Sequence, residues 1–474
     1  MDRAKRALGQ MPPDAAEYEP LTSADLEGEE EEEAAAAFGA SAAADDLDDA
    51  PFSWVEYAIF VFLGVAMLWA WNMFLAAAPY FASRFSRDLW IEANFQSAIL
   101  TVSTFVNLVT LVVLTNVQRT ASYTFRINLA LAANTAVFAL LTCSTALFLD
   151  ASPGLYLAFL LAMVAGTSWA TGLIQNGSFA FAASFGRPEY TQALMAGQGI
   201  AGVLPAVAQV VTVLLFPPQQ QQQQQQQPHS DVAARQGRGR GQTSAFVYFL
   251  TAVVISVAAL AAFIPLVRRR RLALERCMPE HMAASATSIQ EVEQAARKEV
   301  SLWRLFAKLR WLAVGVALTF AVTMFFPVFT TKIVSVRGDG GGPLFRPAAF
   351  IPLGFLFWNL GDLGGRMATA LPPSLSHRPL LLFLLAVARV GQLPLYLLCN
   401  VGGRGAAVPS DFFYLFVVQL LFGLSNGWLG SSFMMAAGDW VEPGEREATG
   451  GFMGLFLVIG LTVGSLLSFT LAKI

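Results

Sequence analysis

Eleven apolar stretches, each roughly twenty residues or longer, follow one another along this chain, and no other feature constrains its fold as tightly. They lie near 54–81, 95–116, 126–149, 154–185, 190–216, 244–267, 309–333, 348–371, 379–400, 411–437 and 449–471. A bilayer core about 30 Å thick is crossed by about 20 residues of α-helix. Runs this long and numerous exceed what a soluble core uses, and membrane strands are shorter and alternate in polarity. The expected fold class is therefore an all-α membrane protein with eleven transmembrane helices and the lipid bilayer as its surroundings. Only 13% of the 474 residues are charged, against about 25% in soluble domains.

The charge is unevenly placed. Residues 1–50 hold 15 acidic and 3 basic residues, the remainder 18 and 27. The segment 1–50, with Glu29 to Glu33 in a row, cannot bury enough apolar surface to fold and is expected to be a disordered acidic tail. The start MDRAKRALGQ lacks an apolar core, so the run from about 54 reads as a signal anchor. Two polar insertions divide the set. Residues 217–243 open with a Gln run between Pro217 and Pro228 and read as a disordered loop. Residues 268–308 open with Arg268 to Arg271 and contain a stretch with amphipathic helical spacing. The expected units are a six-helix half over 51–267, this basic loop, and a five-helix half over 309–474. Lys and Arg near span ends favour a cytosolic N-terminus, and the 268–308 loop supplies nearly all of that margin. The C-terminus then faces the lumen or cell exterior. The Arg cluster reads first as a stop-transfer signal.

A charge in hydrocarbon costs roughly 2.5–3.5 kcal/mol on insertion scales, so one that survives there has a partner or a purpose. In FWNLGDLGGRMATA, Asp362 and Arg366 lie mid-run, one helical turn apart, with the acid on the N-terminal side, the better order. Asn359 falls on the same face. Carboxylate, guanidinium and amide together suit a small polar solute with hydroxyls or ring nitrogens. A self-neutralising pair that anchors helix packing is the alternative. Gln175 and Asn176, in an otherwise apolar helix, either hydrogen-bond neighbouring helices or read a solute. Trp71 and Asn72 lie inside the first run, away from the interfacial belt, where an indole beside an amide suits either stacking on a planar solute or core packing. Arg389 has no acid in its own run and is expected to meet a neighbouring carbonyl or a distant acid. Arg126, at a run's edge, is placed to snorkel.

GQGIAG at Gly197 to Gly202 follows no strand, so it reads as close helix packing rather than a dinucleotide site, and Gly460 and Gly464 form a similar face. Pro205, Pro327 and Pro394 bend their helices. The chain lacks a GxxxxGK[ST] loop, a ladder of spaced Arg and a TVGYG signature, which argues against ATP drive, voltage sensing and a potassium pore. Its three His and three scattered Cys fit neither a metal site nor a disulfide framework. The chain is expected not to be an enzyme and to need no cofactor.

Several stretches resemble the equilibrative nucleoside transporter family, most closely its fungal, vacuolar-type branch. They are WNMFLAAAPYF, QNGSFAFAASFGRPEYTQALMAGQGIAGVLPAVAQV, FFPVFTTKI, WNLGDLGGR, ARVGQLPLYLLCN and the segment from SNGWLGSSFMMAAGDW to the end of the last run. The likeness covers roughly 54–471. It implies a major-facilitator-like 6+5 arrangement that moves nucleosides, purine and pyrimidine, and in some members nucleobases, by alternating access. It also implies a substrate cavity lined by Trp71, Asn72, Leu75, Gln175, Phe326, Asn359, Asp362, Arg366 and Leu461. An extra residue before YTQALM makes Asn176 an alternative to Gln175 as reader of the base. Ala70 stands where several relatives have Pro. An acid already neutralised by its neighbour favours facilitated flux, with weak proton linkage as the alternative. The resemblance further suggests a vacuolar or other endomembrane location ahead of the plasma membrane, a monomer, and no nucleic-acid partner. A carrier of another small polar solute such as a sugar or drug, and a non-transporting receptor or scaffold, are the competing readings.

Overall fold

A computed structural model describes residues 52–117, 122–147, 151–215, 231–277, 300–338, 342–372 and 374–471. The acidic tail, the Gln run and most of the expected amphipathic helix lie outside these residues. Ten helical segments are long and apolar enough to cross a bilayer: Trp54–Phe85, Leu89–Asn116, Tyr123–Leu147, Pro153–Ala183, Pro188–Leu215, Gln242–Leu272, Leu302–Thr330, Pro379–Leu398, Phe413–Trp440 and Pro443–Ser468. An eleventh, Pro347–Ala368, is 22 residues long. It falls short in hydropathy because it carries Asn359, Asp362 and Arg366. In chain order these are spans 1 to 11, with Pro347–Ala368 as span 8.

Local sequence explains the ends and the breaks. Asp88 accepts hydrogen bonds from the backbone of Trp90 and Ile91, and Ser152 accepts one from Leu155 ahead of Pro153 in the first turn. Span 1 breaks at Ala77, two residues before Pro79, and span 7 breaks at Met324 and Phe325, just before Pro327. Span 9 is an α-helix only to Arg389 and continues through Pro394 as a 3₁₀ helix over Val390–Leu398. Span 10 opens as a π-helix over Phe413–Leu420, a wider winding often found at functional sites. The helix of span 6 runs from Asp231 to Cys277, which corrects the expected loop: residues 231–243 are a helical extension. Ala233, Ala234, Arg235 and Gln236 favour the extension, while Gly237, Gly239 and Gly241 oppose it by about 1 kcal/mol each.

Arg126 does not snorkel. It is 7% exposed, donates to the carbonyls of Leu114 at 3.3 Å and Val117 at 2.7 Å, and binds the Asn176 side-chain oxygen. Arg270, from the basic cluster, donates to Ser184 at 3.0 Å and lies 4.0 Å from the Phe185 ring centroid.

Small residues set the tightest helix contacts. A side chain at Gly197 would overlap the Val61 carbonyl of span 1, and one at Gly64 the Leu194 carbonyl of span 5. Spans 8 and 10 interlock reciprocally: Gly361 and Gly365 face the carbonyls of Leu420 and Leu424, while Gly423 and Gly427 face those of Trp358 and Asp362. Such contacts let backbones approach where lipid offers no hydrophobic drive for association.

The apolar packing reveals the conformation. One core cluster joins both halves, with Phe60, Leu194 and Phe179 against Leu312, Phe433 and Met453. It lies at the end of the molecule where span 1 begins. At the opposite end the packing separates into two clusters, one built from spans 1, 2, 3, 4 and 6 and the other from spans 7 to 10. The six-helix and five-helix halves are therefore sealed together at one end and parted at the other.

Candidate functional site

Between the halves lies a cavity of about 360 Å³, within the range of small-molecule sites. Spans 1, 2, 4, 5, 7, 8, 10 and 11 contribute to its wall. Span 8 presents the most charged surface. Arg366 Nε donates to Asp362 Oδ2 at 2.7 Å, and both side chains are 5% exposed. Asn426 Nδ2, from span 10, donates to the other carboxylate oxygen at 2.6 Å. Arg366 Nη1 reaches across to the six-helix half, donating to the Met195 carbonyl at 2.8 Å and to Gln198 Oε1 at 3.2 Å. Among the described residues no acceptor takes its Nη2, which leaves a donor on a guanidinium in the cavity wall. Asn359, one turn earlier, donates back to Phe355 at 2.8 Å and keeps its amide oxygen against Gly202.

The facing wall is neutral. Trp71 and Asn72 line it from span 1, and Asn72 Nδ2 is fixed by the Ala201 carbonyl at 2.7 Å. Gln175 enters from span 4, 3.5 Å from the Gly454 carbonyl, a contact too long to hold it firmly. Ser103, Thr104 and Asn107 of span 2 stand near Thr167, Ser168 and Thr171 of span 4. Leu461 belongs to the apolar part of the wall.

Seven of the ten residues singled out from the sequence thus come together around one cavity: Trp71, Asn72, Gln175, Asn359, Asp362, Arg366 and Leu461. Three do not. Asn176 points away from the cavity into the Arg126 contact, because adjacent residues project about 100° apart on a helix. Phe326 stacks behind Trp358, ring centroids 4.0 Å apart and planes 5° from parallel, so Trp358 forms the wall at that point. Leu75 lies a turn beyond Trp71 towards the parted end, 55% exposed and outside the lining.

Sequence reasoning passed over Gln198 and Asn426. Gln198 was hidden inside the glycine block GQGIAG, and Asn426 inside SNGW. An amide in each, flanked by small residues that bring helices close, was the available signal. The hydroxyls gave none, since Ser and Thr can satisfy themselves on carbonyls of their own helix, as Thr171 does on Thr167 at 2.8 Å. Among the described residues no three His, Cys, Asp or Glu side chains gather as metal ligands. The cavity offers a fixed carboxylate, a forked donor, amides of both polarities and an indole. That set can grip a planar, hydroxyl-bearing solute.

Comparison with known proteins gives the same direction. Residues 161–473 match the family described as "Nucleoside transporter". The chain is 28% identical over 452 residues to the nucleoside transporter FUN26 of Saccharomyces cerevisiae, an alignment covering 88% of this chain and 83% of that protein. It is 27% identical over 465 residues to human equilibrative nucleoside transporter 1, covering 87% and 96%. The solved human organic anion transporter MFSD10 superposes with a TM-score of 0.52 at 14% identity, over 88% of this chain and 93% of that one, a likeness of fold alone.

Proposed function

The chain belongs to the nucleoside transporter family, and from that premise we propose that it carries purine and pyrimidine nucleosides through the central cavity by alternating access, without ATP. The observation that carries this reading is the Asp362–Arg366 pair, held in the membrane core at the wall of a cavity between two halves sealed at one end only. In this reading the base stacks on Trp71 and is read by Gln175. The ribose hydroxyls meet Asp362 and the open Nη2 of Arg366. Asn72 and Asn359 border the polar guest, and Leu461 gives it an apolar back. Asn176 holds span 3 to span 4 through Arg126 and takes no part in recognition.

With the N-terminus cytosolic, the sealed end faces the cytosol and the parted end the lumen or exterior. The sequence resemblance to the family's fungal, vacuolar-type branch favours an endomembrane location over the plasma membrane. A monomer supplies the whole cavity from its own spans, and nucleobases are included as smaller guests. The test is uptake of radiolabelled adenosine and uridine into proteoliposomes containing the purified chain. Uptake of both is expected to saturate and to be abolished by Asp362→Ala and by Arg366→Ala. Retention of uptake in both variants, or competition by hexoses rather than nucleosides, overturns the assignment.

A further inference from the structure

Six amide side chains border the central cavity: Asn72, Asn107, Gln175, Gln198, Asn359 and Asn426. The protein itself pins four of them. Asn72 donates to the Ala201 carbonyl at 2.7 Å, and Asn359 to the Phe355 carbonyl at 2.8 Å. Gln198 accepts from Arg366 at 3.2 Å and turns its NH₂ to the Met67 sulfur at 2.9 Å, and Asn426 gives its NH₂ to Asp362 at 2.6 Å. Each of these shows a guest one fixed polarity. Gln175 has only its 3.5 Å contact with the Gly454 carbonyl. Asn107, on span 2, has less. Its Oδ1 is buried without a donor, and no acceptor takes its NH₂ among the described residues.

An amide left unbonded inside a membrane protein is costly to keep, which calls for a reason. The surroundings show why no neighbour supplies the bond. Asn107 Oδ1 lies 3.3 Å from the point where a Cβ of Gly172 would stand, so it rests on a stretch of span 4 that has no side chain. Thr110, which faces the same glycine, spends its hydroxyl proton on the Val106 carbonyl of its own helix at 2.7 Å. Thr171 does the same on Thr167 at 2.8 Å. No side chain in the wall therefore fixes which end of the Asn107 amide meets the cavity.

The place of this amide gives that freedom a use. Gly172 and Gln175 are one turn apart on span 4, with about 5–6 Å between Cβ positions. The two loosely held amides thus stand side by side on the neutral wall, at a spacing that the ring system of a base can bridge. Bases differ there in polarity. Adenine and cytosine carry an amino donor where hypoxanthine and uracil carry an oxo acceptor. A pinned amide suits one class and opposes the other. An amide that turns over offers its oxygen to the first and its NH₂ to the second.

We propose that Asn107 is a further specificity-determining residue, a second reader of the base, whose unpinned amide turns over to match an exocyclic amino or oxo group. The inference deepens the nucleoside reading of this cavity and rests on it.

The test measures the affinity of the full chain in nanodiscs for adenosine, inosine and purine riboside, which has hydrogen in place of the exocyclic group. In the parent, adenosine and inosine are each expected to bind tighter than purine riboside by about three- to ten-fold, the worth of one hydrogen bond. In Asn107→Leu both ratios are expected to fall to within about two-fold of unity. Asn107→Ala gives the same comparison if leucine does not fit beside Gly172. A general loosening of the fold weakens all three ligands alike and leaves the ratios standing. Ratios retained in the variants, or equal binding of the three ligands by the parent, overturns the inference. Collapse of one ratio alone also overturns it, because that marks an amide of fixed orientation. A parent that binds none of the three overturns the nucleoside reading itself, whereas a parent that binds all three with ratios indifferent to Asn107 loses only the second reader.

Discussion

Removing both members of the Asp362–Arg366 pair should harm the fold less than removing Arg366 alone. In Asp362→Ala, Arg366 keeps Met195 and Gln198 but loses its counter-ion at 2.7 Å, and the Asn426 NH₂ loses its acceptor at 2.6 Å. Stranding one partner of a buried pair costs about 3–5 kcal/mol. Arg366→Ala strands the carboxylate and also removes both hydrogen bonds to the six-helix half, each worth about 1.5–3 kcal/mol when one partner is charged. It should therefore be the worse of the two. The double variant leaves no uncompensated charge at this pair. It lacks the same two bonds to the six-helix half, so its loss should be about 3–6 kcal/mol, smaller than that of Arg366→Ala by the cost of the stranded carboxylate, with a coupling energy of at least about 3 kcal/mol. Apparent melting temperatures of the purified variants, followed by monodisperse elution after heating, should place the parent first, Arg366→Ala last, and the double variant beside Asp362→Ala. Adenosine uptake should be lost in all three, so stability returns in the double variant and transport does not. Additive losses, with the double variant the least stable, would refute the reasoning that these groups are held in hydrocarbon by one another.

Three further outcomes are expected. Gly427→Ala places a methyl group against the Asp362 carbonyl and should cost about 1–3 kcal/mol in stability together with most uptake, since it displaces the backbone that aims the carboxylate; normal uptake would contradict that packing. Trp71→Ala should weaken adenosine and uridine binding by about ten- to a hundred-fold, the worth of about 1–3 kcal/mol of base stacking, and titration calorimetry would detect an unchanged affinity. Gln192 accepts from the Tyr57 hydroxyl at 2.7 Å and donates to the Arg366 carbonyl at 3.1 Å, tying spans 1, 5 and 8 at the sealed end. Gln192→Ala should thus raise the fraction open at that end several-fold, read as faster labelling of a cysteine introduced there; an unaltered rate would remove Gln192 from the closure.

The eleven spans were legible because hydrophobic length is a one-dimensional property, and the polar face of span 8 was legible because i, i+3 and i+4 share a helix side. Choosing between Gln175 and Asn176 was not possible from sequence. Either could face inward until Arg126, fifty residues before Asn176, claims one of them. Phe326 reads as a cavity residue beside a proline, and only the parallel stacking of Trp358 shows which ring meets the void. The 3₁₀ and π windings of spans 9 and 10 also escaped, since their sequences are as apolar as any regular helix. What holds them is contact with other spans, including the bonds from Gln419 to Thr330 of span 7 at 2.7 Å and from the Tyr396 hydroxyl of span 9 to Gln419 at 3.0 Å.

The bond from Arg366 to the Met195 carbonyl makes one planar group both a fastener and a hand. Each crossing must undo that bond and later remake it. A guest held through the free nitrogen of the same guanidinium shares its attention and eases the release, while an unladen molecule must let go unaided. The unladen return should then be the slow leg of the cycle, and tracer exchange with solute on both sides should outpace net entry into empty vesicles; equal rates would mean that the release of this bond sets no limit.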